Sequence, residues 1–474
     1  MDMSKQINVD LVVVGGGPGG YTAAFRAADL GLAVCLVEQR SELGGVCLHE
    51  GCIPSKTLLH AASLVAMAGQ GREYGIHFSK PDIDVAALCQ KRRQVTGQLS
   101  RGLDTLAAAR KIIRINGTGF FADSNTLQVT GNESVSIGFQ HAIIATGSSP
   151  FMLPGLPDDP RIWDSTAALS LENIPERLLI IGGGIIGLEM AQVYHALGAT
   201  ITIVEMLDHL IPPADRDIVQ PLFLQLKKKK AYRIFTRTEV TSVEAEKEAV
   251  TVSFAGKKAP QTANFDAVLV AVGRRPNSKG LGLADIGVSL DRRGFIQVNN
   301  RQQTSIPHIF AVGDVAGEPM LAHKATHEGK VAAENIAGKD VVFAPKTIPA
   351  VAYTDPEIAW MGLTEQEARA RKIPYDKGKF PWGASGRALS ADVATGVTKA
   401  LFDPESGTLL GAAICGAQAG ELIHEAVVAL EKGATASDLS QTIHAHPTLA
   451  ETFAFAAELV DGSITDALPQ KKKK

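Results

Sequence analysis

The sequence predicts an α/β chain in which one strand–turn–helix–strand unit occurs twice, followed by a carboxyl-terminal α+β region. Three observations predict it. The largely apolar run 9–14 ends in Gly15-Gly16-Gly17-Pro18-Gly19-Gly20, then come a helical stretch, 21–30, and a second apolar strand, 33–37, closing on Glu38. The same order returns as 178–181, Gly182-Gly183-Gly184-Ile185-Ile186-Gly187, a helical 188–197 and an apolar 200–204 closing on Glu205. From about residue 348 the pattern changes to strands and helices without that turn.

Each unit carries G-x-G-x-x-G, with the acid 18 residues after the third glycine. The glycine motif alone is weak. Joined to both strands, the helix and the acid, it marks a Rossmann-type dinucleotide-binding unit. Glycine permits the tight turn and the approach of a pyrophosphate to the helix amino terminus, and the acid accepts from a ribose hydroxyl. Two units predict two dinucleotides and electron transfer between them. The expected division is 1–150 and 151–277 for two nested dinucleotide-binding domains, 278–347 for a central domain completing the first site, and 348–474 for the α+β domain.

Composition fits this reading. A chain of 474 residues suggests about three domains at ~150 residues each. Apolar content of 45% supports large cores, and a net charge of −3 argues against a nucleic-acid partner. No run approaches the ~18 apolar residues of a membrane span. No signal-peptide core precedes the first strand, and five cysteines suit a reducing compartment, so the expected location is cytoplasmic. Cys35, Cys89 and Cys415 sit in apolar settings and read as packing residues. The lysine run 227–230 reads as a solvated helix face and 471–474 as a frayed tail.

Shortly after Glu38 come two cysteines five positions apart, in Gly44-Gly45-Val46-Cys47-Leu48-His49-Glu50-Gly51-Cys52-Ile53-Pro54-Ser55-Lys56. In a regular helix such a pair has Cα atoms roughly 8–9 Å apart. A disulfide closes only within ~7 Å, so a bridge between Cys47 and Cys52 requires a bend, for which Gly51 and Pro54 supply the means. A strained, reducible bridge is what a catalytic dithiol needs. His49, between the cysteines, reads as part of a solvated turn. A flavin couples two-electron nicotinamide chemistry to thiols. The cysteines follow the first unit, which assigns FAD there and NAD to the second. Glu205 is followed by Met206-Leu207-Asp208-His209, with no arginine for a 2′-phosphate, which favours NAD over NADP.

Further strands end in turns facing the cofactors. Residues 140–144 run into Ala145-Thr146-Gly147-Ser148-Ser149-Pro150, and 265–272 run into Gly273-Arg274-Arg275-Pro276-Asn277. Residues 239–245 and 249–254 alternate as a β-hairpin. The stretch 308–314 ends in Gly313-Asp314, before a helix over 322–336. Asp314 is placed to accept from a ribityl hydroxyl, and the helix start at Ala322 to stabilise negative charge on a reduced flavin. Strands at 350–353, 397–402 and 409–415, with helices at 364–372 and 420–432, make up the α+β region. Thr448 and Glu451 fit a capping box. His444 and His446 would share a face of an extended strand, so position does not choose the base between them.

Residues 44–56, 182–190, 308–314, 320–329 and 444–451 resemble the flavoprotein disulfide reductases along essentially the whole chain, and among them most closely the dihydrolipoyl dehydrogenases. The resemblance implies oxidation of dihydrolipoamide with reduction of NAD+, through a Cys47–Cys52 disulfide and FAD. Cys47 is then the thiol that exchanges with substrate, Cys52 the thiol against the flavin, and His446 the base held by Glu451. Lys56 lies at the flavin edge, paired with Glu189. Cofactor contacts fall to Gly15, Gly17, Gly20, Glu38, Gly45, Lys56, Gly119, Thr146, Gly147, Ser148, Asp314 and Ala322, together with Gly182, Gly184, Gly187, Glu189, Glu205, Val240 and Gly273. The resemblance also implies a homodimer, with the carboxyl-terminal region as its dimerisation domain and the His-Pro segment of one subunit completing the cysteine site of the other. The implied partners are lipoyl domains and the acyltransferase core of 2-oxo acid dehydrogenase complexes, and the glycine cleavage system is a further setting. One departure stands out: Leu48-His49-Glu50-Gly51 stands where the family usually has asparagine and then an uncharged or basic residue. Glutathione and trypanothione reductases are disfavoured by Glu205, mercuric reductase by the lack of a terminal cysteine pair, and soluble transhydrogenase by the paired cysteines.

Overall fold

The first strand, Lys5–Val14, lies inside a parallel sheet, with Val34–Glu38 on one side and Val135–Ile144 on the other. Leu11, Val12 and Val13 are fully buried because both faces of the sheet are covered: Leu11 and Val13 belong to one core with the helix residues Ala23, Ala24 and Ala27, and Val12 to another with the strand residues Phe121, Leu127 and Ile137. A computed structural model describes residues 5–131 and 134–468; residues 1–4 and the lysine run 471–474 lie outside the described residues. Strand Ile113–Asp123 pairs with Val34–Glu38 through its first half, then turns antiparallel against Thr126–Gly131. Ile309–Ala311 returns, after the whole second unit, to pair with the end of Val135–Ile144. The second unit is therefore inserted into the first. Helix Ala322–Ile336 then packs on helix Pro18–Asp29 so closely that a Cβ on Gly329 would fall 2.5 Å from the Gly19 carbonyl oxygen.

The second sheet repeats the plan. Its parallel order is Tyr232–Thr236, Thr200–Glu205, Arg177–Ile181, Ala267–Val270, Ile162–Trp163. The expected hairpin is present as Glu239–Ala245 and Val250–Ala255, extended by a third strand, Thr262–Phe265. The two turns expected to face the cofactors are joined to each other, because Ser148–Pro150 pairs antiparallel with Arg274–Pro276. Lys227 and Lys228 end helix Arg216–Lys228 in the exposed position expected of them, where cations complement the helix dipole.

The third region is a five-stranded antiparallel sheet ordered Ala350–Ala352, Glu357–Gly362, Leu409–Gly416, Val397–Phe402, Asp376–Pro381. Helices Ala419–Lys432 and Glu451–Asp461 cover it. Lys399, buried on this sheet, joins it to the second unit: its Nζ lies 2.7 Å from Asp215 and from Asp217 and 3.0 Å from Glu365. Those three carboxylates stand close enough to hold a metal ion, but the lysine supplies the cation between them. Cys35, Cys89 and Cys415 are buried, as expected of packing residues. Among the described residues no helix is long and apolar enough to cross a membrane.

Candidate active site

The two glycine turns are built alike, atom for atom. Gly15 has φ +107°, and a Cβ there would meet the Ala145 carbonyl oxygen at 2.3 Å; Gly182 has φ +108°, with the Ala271 carbonyl at 2.4 Å. A Cβ on Gly20 would strike the Gly15 carbonyl, and one on Gly187 the Gly182 carbonyl. The middle glycines differ in kind, since Gly184 has open space and Gly17 only the Gly45 Cα at 3.8 Å. Helices Pro18–Asp29 and Ile185–Ala196 begin with no side-chain cap. Their first N–H groups are left to an anion, and the open middle glycine lets it approach. The strand-end acids also match. Glu38 receives N–H bonds from Gly16 (2.6 Å) and Arg40 (2.9 Å), and Glu205 from Gly183 (2.7 Å) and Leu207 (2.8 Å). Each carboxylate keeps acceptor capacity for a ribose hydroxyl. These residues fit two dinucleotides.

The cysteines straddle a helix break. Helix Gly45–Glu50 ends at Gly51, with φ −145° and ψ −113°, and helix Cys52–Gln70 starts at once. This is the bend the spacing required. The cysteines are a dithiol here. The neighbouring Cys47 thiol holds the Cys52 thiol down to about 7, with burial opposing the effect and Lys56 adding to it, while Cys47 is pushed up by its neighbour Cys52 and by burial. One thiol is thus set to be the thiolate. Lys56 Nζ contacts both oxygens of Glu189, at 3.0 and 2.9 Å, and stands 4.5 Å over the Tyr353 ring. Glu189, only 3% exposed, also accepts the Tyr353 N–H at 3.0 Å. The first unit, the second unit and the α+β region therefore meet at one carboxylate. Sequence reasoning missed Tyr353, which carries no motif.

Around Asp314 a polar chain forms. Ser148 Oγ donates to Asp314 and accepts from Arg274 Nε at 2.7 Å, while Arg274 Nη2 donates to the Ser148 carbonyl at 2.7 Å. Thr146 Oγ1 donates to the Asn277 carbonyl at 2.7 Å, and the Asn277 N–H to the Gly147 carbonyl at 3.0 Å. Gly147 and Gly273 take φ of +70° and +137° in the paired turns. Ala322 opens a helix without a side-chain cap. Gly45 has φ +58°, and a Cβ on it would fall 2.5 Å from Gly17 Cα, so the cysteine helix starts directly on the first turn. Gly119 lies in the antiparallel half of Ile113–Asp123, facing Leu127. Val240 follows Thr238, whose N–H donates to the Glu205 carbonyl at 3.0 Å.

The two histidines are resolved by their partners. His444 Nε2 faces Glu425 at 2.6 Å and Nδ1 faces the Thr442 carbonyl at 2.9 Å. Both partners only accept, so both nitrogens carry protons and no lone pair remains. Burial would depress this imidazole, but Glu425 and the Thr442 carbonyl raise it overall. His446 Nδ1 faces Glu451 Oε1 at 2.8 Å, and the side chain is 80% exposed. Its Nδ1 therefore holds the proton, and Nε2 keeps a lone pair pointing outward. Only half of the capping box that the spacing suggested is formed at Glu451. Its other oxygen accepts the Thr448 N–H at 2.7 Å, while Thr448 Oγ1 donates back to the Ala445 carbonyl. Within one chain the described contacts do not bring His446 to the thiols. Beside it Ile443 is 97% exposed, an apolar side chain with nothing of its own chain to cover it. His49 is also corrected: it sits in a helix, 13% exposed, rather than in a solvated turn.

Comparison with known proteins places this geometry. Residues 9–329 match the pyridine nucleotide-disulphide oxidoreductase family, and 348–457 match the dimerisation domain of that family. The chain belongs to the pyridine nucleotide-disulphide oxidoreductases. It is 51% identical to the dihydrolipoyl dehydrogenase of Vibrio cholerae, over all of this chain and 99% of that one. It is 50% identical to that of Vibrio parahaemolyticus, over 99% of each. Among solved structures, LpdA from Mycobacterium tuberculosis superposes with a TM-score of 0.88 at 26% identity, covering 95% of this chain and 99% of that one.

Proposed function

We propose that this chain is a dihydrolipoyl dehydrogenase, oxidising protein-bound dihydrolipoyl groups and reducing NAD+. The observation that carries the reading is the Cys47–Cys52 pair across the Gly51 break, one helical turn from Lys56, in a chain with two open glycine turns. FAD belongs to the Gly15–Gly20 turn and Glu38, with Asp314 and Ser148 beyond it, and NAD to the Gly182–Gly187 turn and Glu205. Bound there, the flavin supplies the two-electron link between thiols and nicotinamide.

The side chains divide the remaining work. With Cys47 and Cys52 joined, His446 Nε2 takes the proton from one substrate thiol. The resulting thiolate attacks the Cys47 sulfur, the Cys47–Cys52 bond breaks, and Cys52 leaves as thiolate beside the Lys56 cation. The second substrate thiol then attacks the sulfur bonded to Cys47, closing the lipoyl disulfide as the Cys47 sulfur leaves and takes up the proton of that thiol. A base is needed because free thiols near neutrality are mostly protonated. Exposed His446, far from its own thiols, serves the site of a second copy, and the 348–457 match to a dimerisation domain supports that arrangement. The lipoyl domains and acyltransferase core of a 2-oxo acid dehydrogenase complex are the partners this reading assigns, in a reducing cytoplasm.

Steady-state turnover tests the reading. Dihydrolipoamide should drive NAD+ reduction, and Cys47→Ser and Cys52→Ser should each abolish it while leaving NADH oxidation by artificial acceptors. Glutathione disulfide reduction by NADPH, with no dihydrolipoamide turnover, would overturn it.

A further inference from the structure

His49 and Glu50 are where this chain departs from the family pattern, and neither side chain turns to the thiols. The His49 Nε2–H donates to the Leu43 carbonyl at 2.9 Å, with Nδ1 3.8 Å from Glu42. Glu50 pairs with Arg40 Nη2 at 2.7 Å. Both interactions reach back to the segment 38–44. That segment starts at Glu38, whose carboxylate accepts the Arg40 N–H, and ends at Gly44, whose N–H donates to the Gly16 carbonyl at 2.9 Å.

Helix Gly45–Glu50 has six residues, too few to hold a direction through its own hydrogen bonds. Its start is fixed where Gly45 packs on Gly17. Its end is not fixed by the backbone, because Gly51 breaks the path into the next helix. Buried Leu48 anchors the middle of the helix, and its last two residues reach back through their side chains. We propose that His49 and Glu50 are positioning residues: they clip the far end of the cysteine helix to residues 38–43, so that the ribose-binding acid Glu38 and the dithiol are held as one body. The proposal rests on the reading that FAD occupies the first unit. It makes flavin retention depend on two side chains that lie between the cysteines and touch neither thiol.

The test is a charge cycle on the holoenzyme, reading the rate of FAD release after dilution by the rise of free-flavin fluorescence. Glu50→Gln and Arg40→Gln should each speed release roughly 2- to 5-fold, the size of a part-exposed ion pair. The double variant should be no faster than either single one. The swap Arg40→Glu with Glu50→Arg should restore release to within about twofold of the parent, which a merely structural surface role would not do. His49→Ala, losing the better-buried bond, should speed release roughly 10-fold. Unchanged release in both Arg40→Gln and Glu50→Gln, or additive effects without rescue by the swap, would overturn the clip. Glu38→Ala separates the two levels of the argument. If it leaves FAD retention unchanged, the assignment of FAD to the first unit has failed. If it speeds release while the Arg40 and Glu50 variants do not, the clip alone has failed.

Discussion

Two thiols of one residue type, five positions apart, end with opposite tendencies, and the cause is local. The neighbouring Cys47 thiol and the Lys56 ammonium one turn away both favour negative charge on Cys52, so Cys52 is held down to about 7 against an ordinary thiol. In the reduced protein, thiolate absorbance near 240 nm should rise with a midpoint close to pH 7. Lys56→Met removes a group that lowers the value, so the midpoint should move up, toward the ordinary thiol range near 8.5. A midpoint unmoved by Lys56→Met would show that the neighbouring Cys47 thiol alone sets the value. The sign for stability follows. The folded-state value of Cys52 lies below the unfolded one, so its ionisation adds stability that is lost as pH falls through about 7, while the raised value of Cys47 withdraws stability as pH climbs above the ordinary thiol range. At this scale the sequence was legible in part. Cys47, Cys52 and Lys56 lie within ten positions of each other, and Glu189 stands out as an acid in an apolar helix. His444 and His446 could not be told apart by spacing, because the difference lies in what Glu425 and Glu451 accept.

Elements were readable where burial imposes a period and unreadable where it does not. The central parallel strands Val34–Glu38, Arg177–Ile181 and Ala267–Val270 bury both faces and give nearly unbroken apolar runs, whereas the edge strand Tyr232–Thr236 does not. Helix Val85–Ala109 buries only Cys89, Ser100 and Ala107 along its 25 residues, and so writes no stripe into the sequence. Strand Asp376–Pro381 has the sequence DKGKFP at a sheet edge, and edge strands carry lysine and proline for reasons unrelated to strand propensity. Folding also brought together what the linear reading of the Glu205 turn kept apart. Arg216, opening helix Arg216–Lys228, and Arg237, just past strand Tyr232–Thr236, both lie 3.3 Å from Asp208. The arginines missing after Glu205 are supplied from two other elements and neutralised there. NAD+ should therefore be preferred, because Glu205 repels a 2′-phosphate and Asp208 occupies the guanidinium groups. Glu205→Ala should narrow the preference, and Glu205→Ala with Asp208→Asn should raise kcat/KM for NADP+ by roughly 10-fold more, the worth of one charge-assisted hydrogen bond. Comparable kcat/KM values for both cofactors in the parent would sink the assignment.

Among the described residues all three regions touch at the Glu189 carboxylate, and a charged cluster around Lys399 ties the second unit to the α+β sheet. What a single chain lacks is contact between its thiols and its free imidazole. Nothing in the sequence could show this, since Cys47 and His446 are remote in the chain whether or not they meet in the fold. The geometry predicts that activity is a property of the dimer. Chains carrying Cys52→Ser and chains carrying His446→Gln should each turn over dihydrolipoamide at no more than roughly 1% of the parent rate, a usual loss for a missing general base. Mixed and allowed to exchange, they should form heterodimers in which one of the two sites has both an intact dithiol and His446 of the partner subunit. Random exchange makes half the dimers mixed, so the recovered activity should approach a quarter of the parent rate. Sedimentation should show the dimer as the only active species. A monomer that retains full turnover, or a mixture that regains nothing although heterodimers are shown to form, would place the base inside the same chain as its thiols.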